Sequence, residues 1–246
     1  DSGYETAIEF KKNGVNPLIL DTRKEPSSDI ISEAKNLGIE IKFSHVVVAA
    51  KGYKKVKSAD IAKISDNKKD LSNIENIECD CICVSGFWTP TIHLASQSGN
   101  KSEFNEKIDA FIPKKSKQNE NTIGSANGKF TLEETINEAF DKGYEVSNKI
   151  TENNNKVSMP TIVEKKSTEH DKFWCVPLPK GKSYKRFLDF QNDVAVTDIE
   201  LALREGFRSI EHVKRYTTLG MATDQGKTSN LNGLQLVSNI ENKVVP

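Results

Sequence analysis

The sequence predicts an α/β protein, with alternating helices and strands at its start and a small helical segment toward its end. Three observations predict this class. Helical and strand periods alternate over residues 2–43, an apolar strand runs into a Gly/Pro turn over residues 79–90, and two short capped helices follow a polar stretch that ends near residue 172.

Taken in order, Tyr4, Ala7, Ile8 and Phe10 keep helical spacing until Asn13-Gly14, a C-terminal signal. A strand over Val15–Leu20 closes at Asp21, a helix over Ser32–Leu37 stops at Gly38, and Ile39–Phe43 reads as a second strand. This is the rhythm of an open parallel sheet. Val46–Ala50 and Val56–Ile64 form a hairpin across a turn containing Gly52, and Ser65–Asn76 reads as a surface loop. Cys79–Val84 is an apolar strand ending at Ser85-Gly86-Phe87-Trp88-Thr89-Pro90, the kind of edge at which α/β sheets bind ligands. Residues 113–122 are polar and lysine-rich, and the glycine loop Gly124–Gly128 leads into a helix. There Thr131 and Glu134 make a capping box, Leu132, Ile136, Ala139, Phe140 and Tyr144 make the apolar face, and Gly143 lies near the end. Residues 151–172 read as a linker. Thr197 and Glu200 form a second capping box on a helix that stops at Gly206, and Ser209 caps another through Tyr216 that ends at Gly220. Two helices this short bury too little to stand alone, so they are expected to dock on a neighbour or around a prosthetic group.

Composition narrows the function. The 246 residues carry 35 Lys+Arg against 35 Asp+Glu, so nothing argues for a phosphate-tracking protein, and no nucleic-acid partner is expected. The longest aliphatic run, Val46–Ala50, falls far below the roughly 20 residues of a spanning helix, and no membrane partner is expected. The first residue is Asp1 rather than Met and no signal peptide is visible, so the chain is expected to be part of a longer polypeptide. Cys79, Cys81, Cys83 and Cys175 make no disulfide framework, and the first three are not expected all to share a face. A reducing, cytoplasmic location is expected.

The chemical motifs are sparse. Asp1-Ser2-Gly3 at a helix start, with Asp21 at a strand end, has the form of the second half of a dinucleotide fingerprint, but the G-x-G-x-x-G loop is missing and an ordinary structural unit is favoured. Gly124–Gly128 is the better cofactor candidate, because N–H groups at a helix start reach a pyrophosphate where glycines remove the steric barrier. A plain loop-to-helix turn is the equal alternative. His45, His93, His170 and His212 show no metal spacing, and His212 reads as a helix-surface group, so neither a metal nor a catalytic residue is expected. Residues 206–230 gather cations, threonines and glycines around one helix, a set suited to an anion, an acidic partner surface, or plain solvation.

That segment, with Phe187-Leu188-Asp189-Phe190-Gln191-Asn192-Asp193-Val194 before it and Ser85–Leu94 earlier, closely resembles the α (large) subunit of bacterial heterotetrameric sarcosine oxidase, as an internal fragment running from Asp1 to Asn230. The resemblance implies a partial two-dinucleotide-domain, reductase-like fold for FAD or NAD(P). It implies a nucleotide-binding-like lobe over 1–75, a return to the first dinucleotide domain over 76–150 and a linker over 151–180. A small helical module over 181–230 and the start of a folate-binding, aminomethyltransferase-like domain over 231–246 would follow. NAD would lie against Gly124, Ser125, Ala126 and Leu132. Ser125 stands where related reductases carry Asp, which counts against flavin there and leaves NAD. Lys214, Arg215, Thr217, Thr218 and Lys227 would serve a subunit interface or the phosphate of an FMN at that interface.

The module also resembles a [2Fe-2S]-binding domain of related dehydrogenases, but Leu188, Phe190, Asp224 and Ser229 occupy the cysteine positions, so it is expected to be cluster-free. The implied partners are a β subunit carrying FAD and two small subunits, with tetrahydrofolate in a C-terminal domain. The implied reaction is oxidative demethylation of sarcosine to glycine, hydrogen peroxide and 5,10-methylenetetrahydrofolate. An amine or opine dehydrogenase subunit and a non-redox assembly module are the alternatives.

Overall fold

A computed structural model of the chain describes residues 1–86, 88–151, 158–159, 161–162 and 171–243. It is mixed α/β and divides into two compact units, residues 1–85 with 171–246, and residues 86–170.

The first unit opens with helix α1 (Ser2–Lys12), which buries Tyr4, Ala7 and Ile8. Phe10, expected on the same face, is largely exposed. Strand β1 (Leu18–Asp21) begins later than the apolar run does, because Pro17 has no N–H to give a ladder. Helix α2 (Asp29–Asn36) starts three residues before the expected Ser32, where extended Ser28 occupies the N-cap, and it precedes β2 (Glu40–Phe43). The β1 and β2 strands pair in parallel, Leu18 opposite Glu40 through Asp21 opposite Phe43. Tyr4, Ala7, Ile8, Ile31, Ala34 and Ile39 close a core between the helices and this pair. The expected helix and strand order of this lobe is therefore present.

The chain continues as an antiparallel meander of β3 (His45–Gly52), β4 (Val56–Ile64) and β5 (Leu71–Glu78). The β3–β4 hairpin matches the expectation. Gly52 is required at its turn, since with φ +152° a Cβ there would meet the Lys55 carbonyl oxygen at 1.9 Å. Central β4 buries Ala59, Asp60, Ile61 and Ala62 in succession. Two expectations fail here. The second half of the supposed loop 65–76 is strand β5, held to β4 by backbone bonds that its polar side chains did not advertise. Cys79–Val84, expected as a strand, forms no ladder beyond the bond from Cys79 N to Lys57 O, and the chain bends at Asp80.

In the second unit a short helix α3 (His93–Gln97) precedes the hairpin β6 (Ser102–Asn105) and β7 (Ala110–Pro113), where Phe104 and Phe111 face each other edge-on at 5.3 Å. A 3-10 turn, Gly124–Asn127, then leads to α4 (Leu132–Thr151). This helix runs two turns beyond Gly143, which a glycine with open space around it permits. The expected apolar face of α4 buries no residue. Most of the predicted linker, and the final three residues, lie outside the described residues.

The first unit resumes with hairpin β8 (Phe187–Asp189) and β9 (Val194–Ala195), then helices α5 (Val196–Arg204), α6 (Ile210–Thr217) and α7 (Asn230–Glu241). The expected Thr197–Glu200 box is not what starts α5. Strand β9 feeds the helix directly, and Asp198 Oδ2 accepts the Ala195 N–H at 2.8 Å. Ser209 occupies the α6 N-cap through its carbonyl rather than its side chain. Helix α7 supplies the neighbour that α5 and α6 needed. Val194, Val196, Ile199, Ala202, Leu203, Val213, Leu219, Leu236 and Val237 form one core.

Candidate functional site

The Gly124 turn is satisfied from within. Gly124 N–H donates to Glu138 Oε2 and the Asn127 side-chain amide donates to Glu138 Oε1, both at 2.7 Å. An internal carboxylate thus holds two donors that a phosphate would need. At the α4 start, Thr131 Oγ1 accepts the Glu134 N–H at 3.2 Å, as the capping box requires. Ser125 and Ala126 sit in the same turn, and Leu132 at the first helical position is exposed.

A second cluster gathers around Asp189, which is 3% exposed. Its Oδ1 accepts the Gln191 and Asn192 N–H groups at 2.9 and 3.1 Å, and its Oδ2 accepts Gly220 N–H at 2.8 Å. Asn192 Nδ2 also donates to the Thr218 carbonyl at 2.9 Å, and Thr223 Oγ1 donates to Gln191 Oε1 at 2.7 Å. One buried carboxylate therefore draws the β8–β9 turn to the loop that leaves α6. Of the predicted residues, Thr217 turns its hydroxyl back to the Val213 carbonyl, and Thr218 is the left-handed residue that ends α6 at φ +64°. Lys214 and Arg215 lie in the last turn, where cations offset the negative end of the helix dipole. Lys227 is exposed in the following loop, and His212 is exposed on α6.

The four positions that resemble cluster ligands also belong to this region. Leu188 packs against the helical core and Phe190 is exposed. Asp224 binds its own turn through Gly226 N–H and Thr228, and Ser229 is fully buried. The bond from Thr228 holds the Asp224 carboxyl below its ordinary range. Among the described residues no group of three His, Cys, Asp or Glu side chains is placed to hold a metal ion.

At the end of β1, Asp21 is buried and receives Tyr4 OH at 2.7 Å, Arg23 Nη2 at 2.8 Å and Arg23 Nε at 3.0 Å. Burial alone would raise this carboxyl, but the Arg23 and Tyr4 bonds outweigh it and hold it below its ordinary value. Burial and the bond to Asp21 push the Tyr4 phenol up. Sequence reading singled out Asp21 but missed Tyr4 and Arg23; the Asp-x-Arg spacing was the available signal. It also missed Asp189, whose one clue was its place at a strand end just before the polar turn Gln191-Asn192-Asp193.

Comparison with known proteins shows what this arrangement is similar to. The chain is 32% identical over 244 residues to sarcosine oxidase subunit alpha of Rhizobium meliloti (strain 1021), covering 97% of this chain and 23% of that one. It is 28% and 25% identical to the same subunit of Corynebacterium sp. strains U-96 and P-1, covering 97% of this chain and 25% of each. The chain resembles sarcosine oxidase α subunits along nearly its whole length. Residues 183–246, which contain the Asp189 cluster and α5 to α7, match the sarcosine oxidase A3 domain family. The chain spans about a quarter of the length of the α subunits it matches. A solved L-proline dehydrogenase from P. horikoshii is 19% identical with a TM-score of 0.49, covering 93% of this chain and 45% of that one, a likeness too low to assign a fold. No helix among the described residues is long and apolar enough to cross a membrane.

Proposed function

We propose that this chain is part of a sarcosine oxidase α subunit that positions NAD and docks a flavin-carrying partner, within a cytoplasmic heterotetramer. The observation that carries the reading is the match of 97% of the chain to α subunits. Residues 1–75 form the nucleotide-binding-like lobe, supported by the parallel β1–β2 pair under α1 and α2. Residues 76–150 belong to the first dinucleotide domain, 151–180 to a linker and 181–230 to the cluster-free module. Residues 231–246 lead toward a folate-binding domain, with α7 packed on the module's core.

Gly124, Ser125, Ala126 and Leu132 lie against NAD in this reading. Because Glu138 already holds the Gly124 N–H and the Asn127 amide, these two donors do not fit a pyrophosphate, and the contact is one of packing. Lys214, Arg215 and Lys227 supply the cations, and Thr217 and Thr218 the helix end, of a face toward the partner and its FMN. The Thr217 hydroxyl is committed to the Val213 carbonyl, so the cations do more of this work than the threonines. The partner's flavins, FAD and FMN, supply the oxidation chemistry. The balanced reaction takes sarcosine, O2 and tetrahydrofolate to glycine, hydrogen peroxide and 5,10-methylenetetrahydrofolate.

Co-expression of the complete α polypeptide with its partner subunits tests this. Sarcosine-dependent O2 uptake, together with NAD released on denaturation and no iron or labile sulfide, is the expected result. A complex that contains iron and passes electrons only to another acceptor overturns the oxidase reading in favour of a dehydrogenase subunit. A nucleotide-free α polypeptide that still binds its partner overturns the NAD role.

A further inference from the structure

Outside both clusters, the structure places two thiols together on the unpaired segment that leaves β5. Cys81 and Cys83 are both exposed, and their sulfurs lie 3.8 Å apart. The expectation was that Cys79, Cys81 and Cys83 would not all share a face; two of the three, Cys81 and Cys83, lie together. In an extended chain, side chains two residues apart point the same way. We propose that Cys81 and Cys83 form a reversible dithiol switch, closed to an intramolecular disulfide by a hydroperoxide and reopened by a thiol reductant.

Three features carry this. The sulfurs already touch, so closure needs a further approach of under about 2 Å to reach the S–S bond length. The backbone can give that distance, because residues 80–86 belong to no strand. The hydrogen bond with Cys81 pushes the Cys83 thiol up, so the two thiols stay together as a hydrogen-bonded pair until an oxidant arrives.

The chemistry balances. One sulfur of the pair, as its thiolate, attacks one oxygen of ROOH, breaking the O–O bond to give a sulfenic acid, and the alkoxide leaves with a proton as ROH. The other sulfur then displaces the hydroxyl as water. Two thiols lose two hydrogens, and the hydroperoxide is reduced to ROH and water. Cys79 is only half-buried and Cys175 has its thiol raised by burial and approached by Arg186, so both are natural controls.

The test is mass spectrometry of the complete polypeptide in its native assembly after brief hydrogen peroxide treatment. The expected result is a mass loss of about 2 Da with Cys81 and Cys83 both protected from alkylation, fully reversed by dithiothreitol. The C79S/C175S variant behaves identically, and Cys81→Ser gives no 2 Da loss. Free, alkylatable Cys81 and Cys83 after treatment overturn the proposal, as does a bridge that maps to Cys79, Cys175 or a second molecule. Far-UV circular dichroism of each variant confirms that the comparison is between folded proteins. Peroxide-driven closure is independent of the oxidase reading, since the reagent is supplied from outside.

Discussion

Asp189 shows how much one side chain can fix. It accepts three backbone N–H groups from two separate segments while almost wholly buried, and its removal strands those donors. Asp189→Ala is expected to cost about 3 kcal/mol in urea unfolding, and Asp189→Asn, which keeps one acceptor oxygen, distinctly less. The Tyr4, Asp21 and Arg23 corner carries a pH signature. Asp21 has its carboxyl lowered on folding, so its stabilisation is complete above the unfolded value of about 3.9 and is lost as pH falls through the lower folded value. Tyr4 has its phenol raised, so its share is present below about pH 10 and is lost as pH rises through the folded value. Unfolding midpoints measured against pH should therefore fall more gently in acid for Asp21→Asn than for the parent, and more gently in alkali for Tyr4→Phe. Identical slopes at both ends would show that the corner contributes nothing to linkage.

Among the elements, α7 makes the sharpest prediction. Alanine is the better helix former by about 1 kcal/mol, yet a Cβ on Gly233 would lie 2.4 Å from Leu219 Cδ2 in the core. Overpacking outweighs propensity, so Gly233→Ala is expected to lower stability by about 1–2 kcal/mol, read from thermal or urea unfolding. Helix α4 shows the opposite regime. Lys142 and Lys149 both bond to Glu145, pulling its carboxyl to about 2, but the trio is solvent-exposed and adds little to stability. Elements with a strong apolar period or clear stop signals, α1, β3, β4 and α6, were legible in the sequence. Strand β5 was not, because its side chains are mostly solvated and its place is set by backbone pairing to β4. The Cys79–Val84 segment erred the other way: an apolar run names a strand only when a ladder partner is present.

For the whole molecule, balanced charge is the governing fact. With 35 cations against 35 carboxylates and large apolar side chains such as Val84 (90% exposed) and Leu94 (86% exposed) in water, the 246-residue chain has little repulsion to keep copies apart. Light scattering of the isolated chain should show the greatest self-association near pH 7 and a decline at pH values about two units to either side. A scattering profile flat in pH would remove charge as the cause. The candidate sites were partly legible for a related reason. Residue types could mark Gly124–Gly128 and the basic stretch 206–230, but only folding reveals that Glu138 and Asp189 occupy the donors around them.

The shared anchor at Asp189 has one more consequence. Since the β8–β9 turn and the exit of α6 are joined through Asp189, with Asn192 bonded to Thr218 and Thr223 to Gln191, they form one platform rather than two flaps. Exposed Phe190 at one rim and Thr218 at the other thus share a single hydrogen-bonded floor beneath whatever settles on this surface.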